Sequence, residues 1–152
     1  MSRGDIARQL FLEGYNCSQA VVGAFSDLLG MDKSVAVKIA SGFGGGMGRM
    51  RETCGAVSGS VFVLSAIFGY EDTDFEKKKE LYKIIQGFLK DFKEYKGSLN
   101  CAELLQLKAK EQSFVPEKRT EEYYNTRPCP LIIYEVADRL EKYLQALKVM
   151  GL

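Results

Sequence analysis

Apolar residues recur by threes and fours along most of this chain, and alternating apolar–polar runs are few. That spacing belongs to helices with one buried face rather than to strands. The expected fold is all-α: a single-domain helical bundle spanning residues 1–152, with about six to eight helices around a central, buried, apolar one. The first helix is expected over Gly4 to Glu13, with Ile6, Leu10 and Phe11 inward and Gly14 as its stop. Asn16 is a good N-cap, so the second helix begins at Cys17 and runs to about Leu29. Its inner stripe is Cys17, Ala20, Val21, Ala24, Phe25 and Leu28. Asp32 caps a short third helix, Lys33 to about Ser41.

The central helix follows. Thr53 is expected to cap it and Cys54 to be its first residue. Gly55, Ala56, Gly59 and Ala66 give it a small-residue face that a neighbouring backbone can approach, and the rest is almost wholly apolar. Asp72, Thr73 or Asp74 caps the next helix, which runs to about Tyr95 with Leu81, Ile85, Phe88, Phe92 and Tyr95 as its stripe. Lys77, Lys78 and Lys79 face water. Asn100 caps a helix starting at Cys101. Pro116 breaks the pattern, and Glu117 to Tyr124 forms at most a short turn. Pro130 suits the first turn of the last helix, which runs to about Val149 with Ile133, Val136, Leu140, Tyr143 and Leu147 inward.

Composition narrows the chemistry. The chain has 152 residues, 46% hydrophobic and 27% charged, which fits one soluble core of ordinary size. A net charge of +1 gives no global reason to bind nucleic acid. No secretory signal is apparent. The longest apolar run, Ala56 to Tyr70, falls short of the ~18 apolar residues of a membrane span, so no membrane insertion is expected and a cytoplasmic location is the default. Histidine is absent, which excludes a Ser–His or Cys–His pair and any histidine metal ligand within this chain. The four cysteines are then its strongest nucleophiles and its soft metal ligands. In a reducing compartment they are expected as thiols rather than structural disulfides.

Cys17, Cys54, Cys101 and Cys129 each fall at, or within one residue of, an expected helix start, and each lies on or just before an inward stripe. A helix N-terminus offers unpaired N–H groups and a partial positive charge, both of which favour a thiolate. These four are the candidate catalytic residues, with Cys54 expected to attack first. Five glycines in the seven residues Gly42 to Gly48 mark unusual backbone, close approach or movement. They are read as a flexible cover over Cys54. Gly44, Gly45, Gly46 and Arg49 are the candidate binding residues, with Arg49 or Arg51 near a thiolate or an anionic ligand. The loop lacks the endings of a nucleotide-binding motif.

The Asn16-Cys17 segment, the Phe43-Gly44-Gly45-Gly46 loop, Cys54-Gly55-Ala56-x-x-Gly59, Cys101 and Pro128-Cys129-Pro130 together resemble a family. It is the redox-active protein family named for its C…CGAxxG…C…C arrangement, in bacteria and archaea, often encoded near transporters. The resemblance implies functional roles for Cys17, Cys54, Cys101 and Cys129, and a redox partner protein. The leading reading is a thiol protein cycling between dithiol and disulfide, which requires no cofactor. An alternative uses the same four cysteines as metal ligands, for an iron–sulfur cluster or zinc. A third is a non-enzymatic accessory protein of a transport system. A homodimer is compatible with the small-residue helix.

Overall fold

The computed structural model describes residues 1–107 and 113–149. Eight α-helices lie among them: α1 (Arg3–Leu12), α2 (Cys17–Ala24), α3 (Lys33–Ala40), α4 (Gly55–Phe68), α5 (Phe75–Lys96), α6 (Cys101–Leu104), α7 (Glu121–Thr126) and α8 (Cys129–Val149). Short 3-10 turns cover Ser26–Leu28 and Ser41–Phe43. The described residues contain no strand, only an isolated antiparallel bridge between Thr53 and Asn100. The fold is all-α, as the periodicity predicts.

Four helices make the core. α1 packs on α2 and α8, and α4 packs on α2 and α8 from the other side. α5 closes the far side of α4, and α3 flanks α2. No residue of α4 is exposed, so it is the central helix expected from its all-round apolarity. Its small face carries that packing. A side chain at Gly59 would meet the Ser18 carbonyl oxygen at 3.0 Å and its Cα at 3.3 Å. The α2 backbone therefore lies directly against α4.

Local capping chemistry sets most boundaries. Ser2 and Asp5 form a capping box on α1, Asn16 and Gln19 form one on α2, and Asp74, Asn100 and Thr120 accept from the third residue of their helices. α5 ends at Gly97, whose φ of 94° places it in the left-handed region that glycine enters without strain.

Several expectations need correction. α2 stops at Ala24. Phe25 turns out of helical geometry (φ −113°, ψ 15°) to bury its ring completely, and the 3-10 turn that follows leaves Leu28 exposed. On α5 the buried stripe is Leu81, Ile84, Phe88 and Phe92. Ile85 is half-buried and Tyr95 is exposed. Thr53 is not the cap of α4. It is held in the bridge to Asn100, and Cys54 is itself the N-cap residue (φ −50°, ψ 131°). The helical turn after Pro116 is α7, which begins at Glu121 rather than Glu117. Tyr143 is only half-buried, because its hydroxyl donates to the Ile84 carbonyl oxygen at 2.7 Å.

Candidate functional site

The four cysteines line one cavity of about 300 Å3. Each reaches it from a different segment, and each arrival has a local cause.

Cys17 is the first residue of α2. Asn16 fixes that start with three hydrogen bonds. Its Oδ1 accepts from the Gln19 amide (2.9 Å), its own amide donates to Gln19 Oε1 (3.1 Å), and its Nδ2 donates to the Ser41 carbonyl oxygen (2.9 Å). Asn16→Ala removes the cap and the strut together. It is expected to cost about 1–2 kcal/mol, read as a lower urea midpoint, whereas Asn16→Asp keeps most of the cap.

Cys54 and Cys101 come together through chain pairing. The Cys54 amide donates to the Leu99 carbonyl oxygen (2.8 Å), and the Cys101 amide donates to that of Glu52 (2.6 Å). Thr53 and Asn100 bridge between them. Residues 51–54 and 99–102 thus run antiparallel for a few residues, which sets two helix starts side by side. Cys129 begins α8, immediately after Arg127-Pro128.

The glycine loop is wound rather than draped. Gly48, Arg49, Arg51 and Glu52 donate in turn to the carbonyl oxygens of Gly42, Gly44, Gly45 and Gly46, at 2.8–3.1 Å. The flexible cover expected over Cys54 is therefore a hydrogen-bonded coil. Its glycines answer to close approach. A side chain at Gly44 would meet the Asn16 side chain at 2.5 Å, and one at Gly46 would meet the Cys101 Cβ at 2.7 Å. Gly44 and Gly45 line the cavity; Gly46 backs Cys101. Three non-glycine residues of the coil, Met47, Arg49 and Arg51, also have positive φ (68°, 67° and 62°). Arg51 lies in that strained region with only 6% of its surface exposed.

Arginines surround the sulfurs. The Arg51 guanidinium donates to Cys101 Sγ at 3.6 Å. Glu117 gathers three of them, pairing with Arg49 (3.1 Å), Arg51 (3.6 Å) and, closest, Arg127. Burial alone would raise the Glu117 pKa, but the Arg127 hydrogen bond and the charges of Arg127 and Arg49 hold it below the usual carboxylate range. Arg49 also donates to the Ser113 carbonyl oxygen, which ties the coil to the segment carrying Glu117. Arg119 stacks on the Phe11 ring at 3.9 Å and donates to the Phe11 and Tyr15 carbonyl oxygens.

All four cysteines are free thiols. Cys54 and Cys101 are buried, and Cys17 and Cys129 keep a partial opening. The expected lowering of thiol pKa by helix starts does not prevail at three of them. Burial raises Cys54, and a neighbouring Cys17 charge adds to that, against the amides of Val57 and Ala56. Burial likewise raises Cys17, opposed by a hydrogen bond from the Gly45 amide. Cys129 is pushed up to about 12, first by burial and then by Cys17 and Cys101, against Arg127 and Arg51. The helix-start amides are present; desolvation of the anion outweighs them.

The sulfurs are not arranged as a ligand set. Among the described residues no group of three or more His, Cys, Asp or Glu side chains could hold a metal ion.

Sequence reasoning missed Glu117, Arg119 and Arg127. Arg127 stands two residues before Cys129, which was a readable signal. Glu117 and Arg119 lie in the stretch with the least periodicity, where nothing local marks them.

The fold and cavity define a class: an all-α protein with four thiols from four segments around one arginine-rimmed cavity. The chain belongs to the family described as "Putative redox-active protein (C_GCAxxG_C_C)", whose model matches residues 15–143. In this chain the hexapeptide reads Cys54-Gly55-Ala56-Val57-Ser58-Gly59. Comparison with curated proteins and with solved structures gives no match. No helix among the described residues is long and apolar enough to cross a membrane.

Proposed function

We propose that this protein is a thiol–disulfide redox protein whose cysteines cycle within the one cavity they line. The observation that carries this reading is the meeting of Cys17, Cys54, Cys101 and Cys129, from four separate segments, around that cavity. Sulfurs buried one by one as core filler have no reason to converge.

Cys101 is the attacking thiol in this reading, in place of Cys54. The Arg51 guanidinium donates to its sulfur, which sets a cation against the atom that attacks. Burial keeps Cys17, Cys54 and Cys129 protonated at neutral pH. Cys17 is the resolving thiol: it lines the same cavity and keeps a partial opening. In the oxidative half-reaction, the Cys101 thiolate attacks one sulfur of an external disulfide. The external S–S bond breaks and one thiol leaves. Cys17 then attacks the Cys101 sulfur of the mixed disulfide and expels the second thiol. Two electrons and two protons pass from the protein to the acceptor. A second protein that carries a dithiol and returns the oxidised pair to its reduced form is the partner class.

The test is a thiol count against redox poise. Equilibration between about −180 and −300 mV should remove two titratable thiols reversibly. Four thiols throughout that range would overturn the reading.

A further inference from the structure

Arg51 is unusual in two ways that the thiol chemistry leaves unexplained. It is more than nine-tenths buried, and its Nε has no hydrogen-bond partner among the described residues. Buried guanidinium N–H groups are ordinarily satisfied, so an orphan on a cavity-lining side chain points to an acceptor that the described residues do not supply. Its backbone also sits at φ 62°, a conformation that favours glycine or asparagine, with its amide and carbonyl both engaged by Gly45 and Ala102. The side chain is thus fixed in place rather than free to find solvent.

The charge of the lining points the same way. Arg49, Arg51, Arg119 and Arg127 line the cavity, and Glu117 is the one acidic side chain among its described lining residues. Three of the four thiols are held neutral by burial, so they do not balance the excess. A cavity of about 300 Å3 is of the size that takes a small molecule.

We propose that the cavity binds a small disulfide bearing carboxylates, with Arg51 as the anion-binding residue that presents the ligand's sulfur to Cys101. This rests on the thiol–disulfide reading and names its substrate class. Arg51 lines the cavity and contacts the Cys101 sulfur at 3.6 Å, so an anion held by its guanidinium sits within one side chain of the attacking atom. The step balances. The Cys101 thiolate forms a bond to one ligand sulfur and the ligand S–S bond breaks. Cys17 completes the exchange. Two carboxylate-bearing thiols leave with the two protons given up by Cys101 and Cys17. The protein is oxidised by two electrons and the ligand reduced by two.

Four probes test it: dithiodiglycolate and its neutral dimethyl ester, and thiodiglycolate, a dicarboxylate thioether with no disulfide, and its neutral dimethyl ester. With the wild-type protein, thiodiglycolate should slow labelling of Cys101 by the neutral reagent iodoacetamide, and the ester of that thioether should not. Dithiodiglycolate should oxidise the protein about tenfold faster than its dimethyl ester, in keeping with the size of electrostatic rate effects. Arg51→Gln should abolish both preferences, and Arg51→Lys should restore part of each. Taking the ratio of charged to neutral probe cancels any effect of Arg51 on the Cys101 thiolate itself. Equal behaviour of charged and neutral probes on the wild-type protein would overturn the proposal, whether or not Arg51→Gln folds. Protection by thiodiglycolate with no thiol lost to either disulfide would leave the anion site standing and sink the redox reading instead.

Discussion

Gly55→Ala destabilises the fold by about 2–3 kcal/mol and forces the Cys17 sulfur out of its place. A Cβ at position 55 would lie 2.3 Å from Cys17 Sγ, 2.9 Å from the Phe43 carbonyl oxygen and 3.2 Å from the Gly44 Cα. Two of those three neighbours are backbone and cannot rotate away. The glycine of the hexapeptide is therefore a packing requirement: it is the hollow in which the Cys17 sulfur rests against the start of α4. The measurement is a urea midpoint. Cys17→Ala in the same background should recover about 1 kcal/mol, since it removes the sulfur but leaves the Phe43 and Gly44 contacts. Strict additivity of the two substitutions would mean that the sulfur does not sit where this account puts it.

Stability should fall steeply in alkali. In the unfolded chain the thiols ionise around their ordinary value of 9.0, whereas the folded chain keeps Cys129 protonated to about 12 and raises Cys17 and Cys54 as well. From about pH 9 upward the folded state binds more protons than the unfolded one, so stability falls as pH rises. Below pH 9 the contribution is fully present and flat. The limiting slope is about 1.4 kcal/mol per pH unit for each such thiol, reduced at Cys129 by its partial opening to solvent. Alkylation should show the same shift. At pH 8, Cys129 should label about a thousandfold more slowly in the folded protein than in urea. The all-serine variant should lose the part of the fall that begins near pH 9 and keep only the part above about pH 10, where the raised Tyr123 hydroxyl acts with the same sign. A flat profile through pH 9–11 in the wild-type protein would contradict the burial argument.

How much of this was legible in the sequence depends on whether the cause was local. Helix starts at Cys17, Phe75 and Cys101 were readable because Asn16, Asp74 and Asn100 cap within three residues of themselves. The central helix was readable because it is apolar on every face. The cap of α4 was not, because Thr53 answers to Asn100, far along the chain. The glycine loop announced strain, but not that Met47, Arg49 and Arg51 would share the left-handed conformation with it. The electrostatics of the thiols reversed for a similar reason. The helix-start amides can be read from capping residues. The burial that outweighs them comes from helices brought together only by the fold. Glu117 was invisible for the same cause, since its three arginine partners come from two distant stretches, the coil and the lead-in to α8.

The account stands on the sharing of one cavity by four thiols. The most direct measurement is a peptide map of the monomeric protein after mild oxidation. It should show a disulfide within the chain that includes Cys17, joined to Cys101 when oxidation is limited. Links only between separate molecules, or four cysteines that stay reduced, would contradict it.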